Sequence, residues 1–175
     1  MNENVKMNKK RFPWLALTVF SVVLIASVVI SLNTAELTVE PEIAELIEAN
    51  PGVASLGVAI VTGLGVIGGL IGVGIQYLVK RFPTQWIAKD SDVYKNEIWS
   101  ALFYSSAIGI VLELIGQMLE LQGNIALAVL GSIVTTGLFL FFYFSGENKP
   151  YHIKKAITIV SVGLLVLNIL ITVAA

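Results

Sequence analysis

The feature that most constrains this chain is how far it runs without an Asp, Glu, Lys or Arg. Residues 12–35, 49–79, 121–146 and 156–175 form such runs of 24, 31, 26 and 20 residues. A fifth run, 98–112, lasts 15 residues and resumes after Glu113 as far as Leu119. A helix crossing ~30 Å of hydrocarbon needs about 20 mostly apolar residues. The pattern therefore predicts five transmembrane helices, at about 13–32, 54–79, 98–120, 125–145 and 156–174. Barrel strands would alternate apolar and polar residues over segments of about ten, and these runs do not alternate. Composition agrees: 56% of residues are hydrophobic, 13% are charged and the mean hydropathy is +0.84. A water-soluble chain carries roughly 25% charge, so residues 1–175 are read as one all-α, polytopic membrane domain.

The charges also give a direction. Four cations, Lys6, Lys9, Lys10 and Arg11, precede the first span. Lys80, Arg81, Lys89 and Lys95 lie between the second and third, and Lys149, Lys154 and Lys155 between the fourth and fifth. With five spans, all eleven cations and five of the acids share one side, net +6, and the other side holds seven acids and no cation, net −7. The positive-inside rule then predicts a cytoplasmic N-terminus and an outside C-terminus. The apolar run after the basic start is longer than the 7–15 residues of a signal-peptide core, so the first span is read as a retained helix. All sixteen aromatics fall on the inner side or in the inner halves of spans, among them Trp14, Tyr77, Trp86, Tyr94, Trp99, Tyr143 and Tyr151. Interfacial aromatic belts are usual; here the pattern places one on the inner face alone.

The outer segment 41–49 carries Glu42, Glu45 and Glu48 against Ile43, Leu46 and Ile47, after Pro41. That spacing predicts a short amphipathic helix on the outer surface. Asp90-x-Asp92 precedes the third span, where acids favour helix caps. Leu121-Gln122-Gly123-Asn124 makes a tight turn, so spans three and four form an antiparallel hairpin.

Two constellations inside the spans stand out. In the second span Gly65, Gly69, Gly72 and Gln76 share a helical face, and Gly65-x-x-x-Gly69 and Gly68-x-x-x-Gly72 fit the small-xxx-small pattern that lets helices approach closely. Packing within the chain and contact with a partner or a second copy are the two uses of such a face. In the third span Glu113 is the one ionisable residue deep in a run, and intramembrane carboxylates mark ion or proton sites by default. Gln117 lies one turn beyond it, and the hairpin brings Ser132 to its level and Thr136 to that of Gly109. Asn168 lies at a similar depth in the fifth span. Glu113, Gln117, Ser132, Thr135 and Asn168 form the candidate polar cluster. Its functional reading is a proton or cation site opening outward; its structural reading is a protonated glutamate donating one hydrogen bond between helices.

No cysteine is present, so thiolate and disulfide chemistry are excluded. Neither Gly-x-Ser-x-Gly nor His-Glu-x-x-His occurs, and His152 is the single histidine. No enzyme activity, cofactor or metal is expected, and the dispersed cations do not form a nucleic-acid surface.

Several segments resemble one family. The stretch Lys10-Arg11-Phe12-Pro13-Trp14-Leu15-Ala16-Leu17, the outer segment 41–48, the glycine-rich 63–79 and the polar-to-apolar 94–121 resemble the Yip family of Ypt/Rab-interacting membrane proteins and its bacterial relatives. The Asp-Leu-Tyr-Gly-Pro signature and long soluble N-terminal region of eukaryotic members are absent, so the resemblance implies a bacterial-type relative in the plasma membrane. It implies a protein working through membrane partners or a second copy of itself, accessory to a transporter or to membrane organisation. The alternative is a small transporter or channel subunit using Glu113.

Overall fold

A computed structural model describes residues 11–34, 51–121 and 123–174. The basic start, 1–10, and the outer segment expected to be amphipathic, 41–49, lie outside the described residues. The described chain is all-helical: α1 Trp14–Thr34, α2 Pro51–Ala88, α3 Lys95–Met118, α4 Ile125–Ser145 and α5 Tyr151–Ala174. All five are long and apolar enough to cross a membrane, making this a multi-pass membrane protein by length and composition.

Local chemistry sets the helix ends. Pro51 opens α2 at a position where a missing N–H costs nothing. Asn124 caps α4, its side chain accepting the Leu127 N–H at 3.3 Å. At the end of α3 the Leu121 N–H reaches the Gly116 carbonyl and the Glu120 N–H the Gln117 carbonyl, closing a Schellman turn. Glu120 takes the left-handed conformation (φ 56°) that glycine usually supplies there. Lys89 does the same after α2 (φ 53°), where the Asp90 N–H reaches back to Gln85.

Two sequence expectations are corrected. The second helix does not stop near residue 79 but runs to Ala88, with Pro83 inside it. Charge-free runs mark the hydrocarbon slab, whereas the helix carries its periodicity on through Lys80 and Arg81. Thr84 Oγ1 bonds the Lys80 carbonyl at 2.6 Å beside the proline that cannot donate. Nor do Asp90 and Asp92 cap α3. Its N-cap position is Tyr94, left-handed and without a side-chain cap bond. Each acid instead accepts the backbone N–H two residues on, at 2.9 and 3.2 Å, folding the short linker into consecutive Asx turns.

The helices form a ring in the order α1, α3, α4, α5, α2, with α2 also packed against α3. Toward one end, the closed end, the ring buries a core; toward the other, the described side chains line an internal cavity. Buried apolar side chains occur in α1 at Ala16, Phe20 and Leu24, and in α2 only from Val73 onward. They stop at Ala107 in α3, start at Phe139 in α4 and stop at Val160 in α5. Given the alternating helix directions, all lie toward one end of the bundle. Aromatic rings do much of the closing: Tyr77 stacks on Trp99 at 4.1 Å, Trp99 on Phe103 at 5.4 Å, and Phe12 and Phe20 approach Phe103 from α1's end. Every described Lys and Arg sits toward this same end.

Candidate functional site

The half of the bundle away from the closed end holds a cavity of about 1540 Å³ lined by residues from all five helices. Ligand pockets typically span about 300–1,000 Å³, so the space admits a solute together with water. Leu121, Gly123 and Asn124 of the α3–α4 turn line one end, and Phe20, Leu102, Lys80 and Phe139 line the other. The cavity thus runs from the level of the α3–α4 turn down to the aromatic closure.

Each residue of the expected polar cluster, Glu113, Gln117, Ser132, Thr135 and Asn168, lines this cavity. The Asn168 amide donates to Ser132 Oγ at 3.1 Å, joining α5 to α4. Ser31 Oγ donates to Gln117 Oε1 at 3.2 Å, joining α1 to α3. Thr135 turns its hydroxyl back to the Gly131 carbonyl, at 2.8 Å, where Gly109 leaves room for it. Glu113 makes no hydrogen bond or ion pair among the described residues, and its side chain is exposed. The interhelical hydrogen bond of a purely structural glutamate is therefore not formed there.

The glycine face divides between two neighbours. A Cβ at Gly65 would stand 3.0 Å from Val28, and one at Gly69 would press on Leu24, so these two glycines seat α1. Gly72 and Gln76 continue the face into the cavity wall. At Gly68 an added Cβ would meet nothing within 4 Å.

Lys80 is a site residue that the charge-free runs do not mark, because a run ends at its first lysine. The extension of α2 puts it at the cavity floor, 8% exposed, with Nζ 4.3 Å above the Phe139 ring. It crosses from α2 to α4, helices that are not packed neighbours. A signal was available: Val73, Tyr77, Lys80 and Thr84 follow helical spacing, and all four are buried.

Below the floor, Glu97 of α3 pairs with Lys149 of the α4–α5 loop. The Lys149 ammonium also donates to the carbonyls of Tyr143 at 2.6 Å and Glu147 at 3.0 Å. Tyr143 donates to the Val93 carbonyl at 3.0 Å, tying the same loop to the α2–α3 linker. At the surface of this end Asp90 faces His152 at 3.4 Å. The Asp92 N–H holds the Asp90 carboxyl below the usual carboxylate range, slight burial opposes this, and His152 adds to the lowering. Burial, followed by the charges of Asp92, Glu147, Glu97 and Asp90, pushes the Tyr94 hydroxyl up.

No group of three or more His, Asp or Glu capable of holding a metal occurs among the described residues. Comparison with protein-family models, curated proteins and solved structures finds no match to this chain.

Proposed function

We propose that this chain is a small membrane transporter or channel subunit whose cavity takes up a solute from one side of the membrane, with Glu113 as its proton or cation site. The observation that supports this best is the one-sided bundle: an aromatic, basic end packed shut, and a polar-walled cavity with an unpartnered carboxylate toward the other end. Polar side chains at membrane depth are tolerated where they line a water-filled space. With the cations cytoplasmic, the cavity faces outward, the N-terminus is inside and the C-terminus outside.

The absence of native cysteine makes the test direct. Single cysteines are placed at Ser132, on the cavity wall, and at Ile67, exposed on α2 but away from the cavity. A membrane-impermeant maleimide added outside is expected to label Ser132→Cys and spare Ile67→Cys. In proteoliposomes, proton or cation flux should appear and be lost in Glu113→Gln. An unlabelled Ser132→Cys, or flux indifferent to Glu113, refutes the reading.

The second reading is an accessory protein of the Yip type that acts through partners or a second copy. It is favoured by Gly63, Gly68 and Gly74, where α2 presents backbone with nothing within 4 Å of an added Cβ. Crosslinking in native membranes tests it; recovery of neither a partner nor a dimer counts against it.

A further inference from the structure

The floor of the cavity poses a charge problem that the Glu113 site does not solve. Lys80 is almost wholly buried and lines the cavity, yet no carboxylate or carbonyl accepts from its ammonium among the described residues. Its described contact is the face of Phe139. A cation–π contact recovers only part of the hydration that a buried ammonium loses. Glu113 is too far to help. It stands eighteen residues into α3 from the closed end, and Lys80 eight residues from the same end of α2. At 1.5 Å per residue the two differ in depth by roughly 15 Å.

A second, independent group lies at the level of Lys80. Ser161 of α5 lines the same cavity, is 0% exposed, and its hydroxyl has no hydrogen-bond partner. It is ten residues into α5 from the closed end, about 15 Å against about 12 Å for Lys80. A buried hydroxyl without a partner is unusual, because helical serines ordinarily bond back to the preceding turn. Here a free donor and an unneutralised ammonium share the bottom of one cavity.

We propose that the cavity floor is an anion subsite, in which Lys80 and Ser161 bind the carboxylate or phosphate group of a ligand entering from the open end. The inference rests on the cavity reading and names the class of solute. An anion supplies the counter-charge that Lys80 lacks and the acceptor that Ser161 lacks, while Phe139 sets the ammonium against the α4 wall. The upper cavity, with Gln76, Gln117 and Asn168, takes the remainder of the ligand.

The test uses the full chain with one cysteine at Thr136, on the cavity wall three residues before Phe139. Maleimide labelling is timed in the presence of inorganic phosphate, decanoate, decyl phosphate or the neutral decyl glucoside. Carboxylate- and phosphate-bearing probes should slow labelling at least tenfold, and the glucoside less than twofold. Protection by inorganic phosphate assigns a free anion. Protection by the decyl anions alone assigns a lipid-like headgroup. Lys80→Met should abolish protection and Lys80→Arg should retain it. Equal protection by the glucoside, no protection by any anion, or protection surviving Lys80→Met overturns the subsite. The comparison of probes on the otherwise unaltered chain stands even if Lys80→Met does not fold. Labelling of Ser132→Cys, run alongside, separates the two claims: if it reacts and no anion protects Thr136→Cys, only the subsite fails, and if it does not react, the cavity itself fails.

Discussion

Removing the carboxylate of Glu97 should loosen the closed end of the bundle more than any other single charge change. The Lys149 side chain has no solvent exposure, and its three ammonium protons meet three acceptors: the Glu97 carboxylate, the Tyr143 carbonyl and the Glu147 carbonyl. The rings of Tyr143 and Tyr94 lie 4.5 and 5.2 Å from Nζ. The other Glu97 oxygen accepts the Glu147 N–H at 3.1 Å. Breaking a buried pair by deleting one partner costs about 3–5 kcal/mol, because the survivor stays buried and uncompensated. Two carbonyls and two aromatic faces still hold Lys149, so Glu97→Leu should fall near the lower figure, about 3 kcal/mol. Replacing both partners removes the orphaned charge, and Glu97→Leu with Lys149→Met should recover to within about 1–2 kcal/mol of the original. Equilibrium unfolding of the purified protein in detergent, run as a double-mutant cycle, reads the coupling directly. A Glu97→Leu loss under about 1 kcal/mol, or a double variant as unstable as the sum of the singles, refutes this account of the closed end.

Other predictions follow from single positions. Lys89→Gly and Glu120→Gly should each raise the thermal midpoint, by up to about 1 kcal/mol of relieved left-handed strain, measured by thermal unfolding in detergent. Gly69→Ile should lower stability by about 1–3 kcal/mol by pushing Leu24 and α1 aside, whereas Gly68→Ile, facing open space, should cost far less in the same assay. Asp90 has a folded carboxyl held below its usual 3.8. Its contribution is therefore fully present above that value and lost as pH falls through the lower folded one. Asp90→Asn should flatten that acid limb of a stability–pH curve and lower the plateau above it by the contribution that is lost, so that the two curves converge at low pH.

What the sequence could reveal followed the strength of the physics behind each feature. Hydrocarbon tolerates few charges, so charge-free runs located all five helices, and α4, bounded by Asn124 and Ser145, came out at 125–145 as expected. The same logic hid Lys80, because a rule that ends a span at its first lysine assigns that lysine to a loop. Helical periodicity continues through it and would have kept it inside. Glu113 was legible because it stands alone in an apolar run, and its neighbours followed from hairpin register. Glu97 and Lys149 were not legible as a pair: each sits beside a span end among other charges, and 52 residues separate them. The turn chemistry of Asp90 and Asp92 was misread because an acid shortly before a helix suits an N-cap and an Asx turn equally. The left-handed Tyr94 decides between them only in the folded chain.

The polarity of the fold has one cause running through it. Aromatic side chains pack tightly and reach across helix interfaces, and all sixteen lie toward the basic end, so that end can bury a core. The opposite halves of α3, α4 and α5 turn Glu113, Gln117, Ser132, Thr135 and Asn168 inward, with no ring among them. Closing such halves dry would strip hydration from a carboxylate that has no partner. Hydroxyls and amides satisfy one another here, as Asn168 does with Ser132 and Ser31 with Gln117, and Glu113 takes no part in either bond. The cavity is thus bounded by aromatic rings at one end of the five-helix ring and lined toward the other by polar side chains, Glu113 among them. On the proposed reading, whatever neutralises Glu113, a proton or a cation, removes the main electrostatic obstacle to closing that half. That would couple its occupancy to the shape of the site.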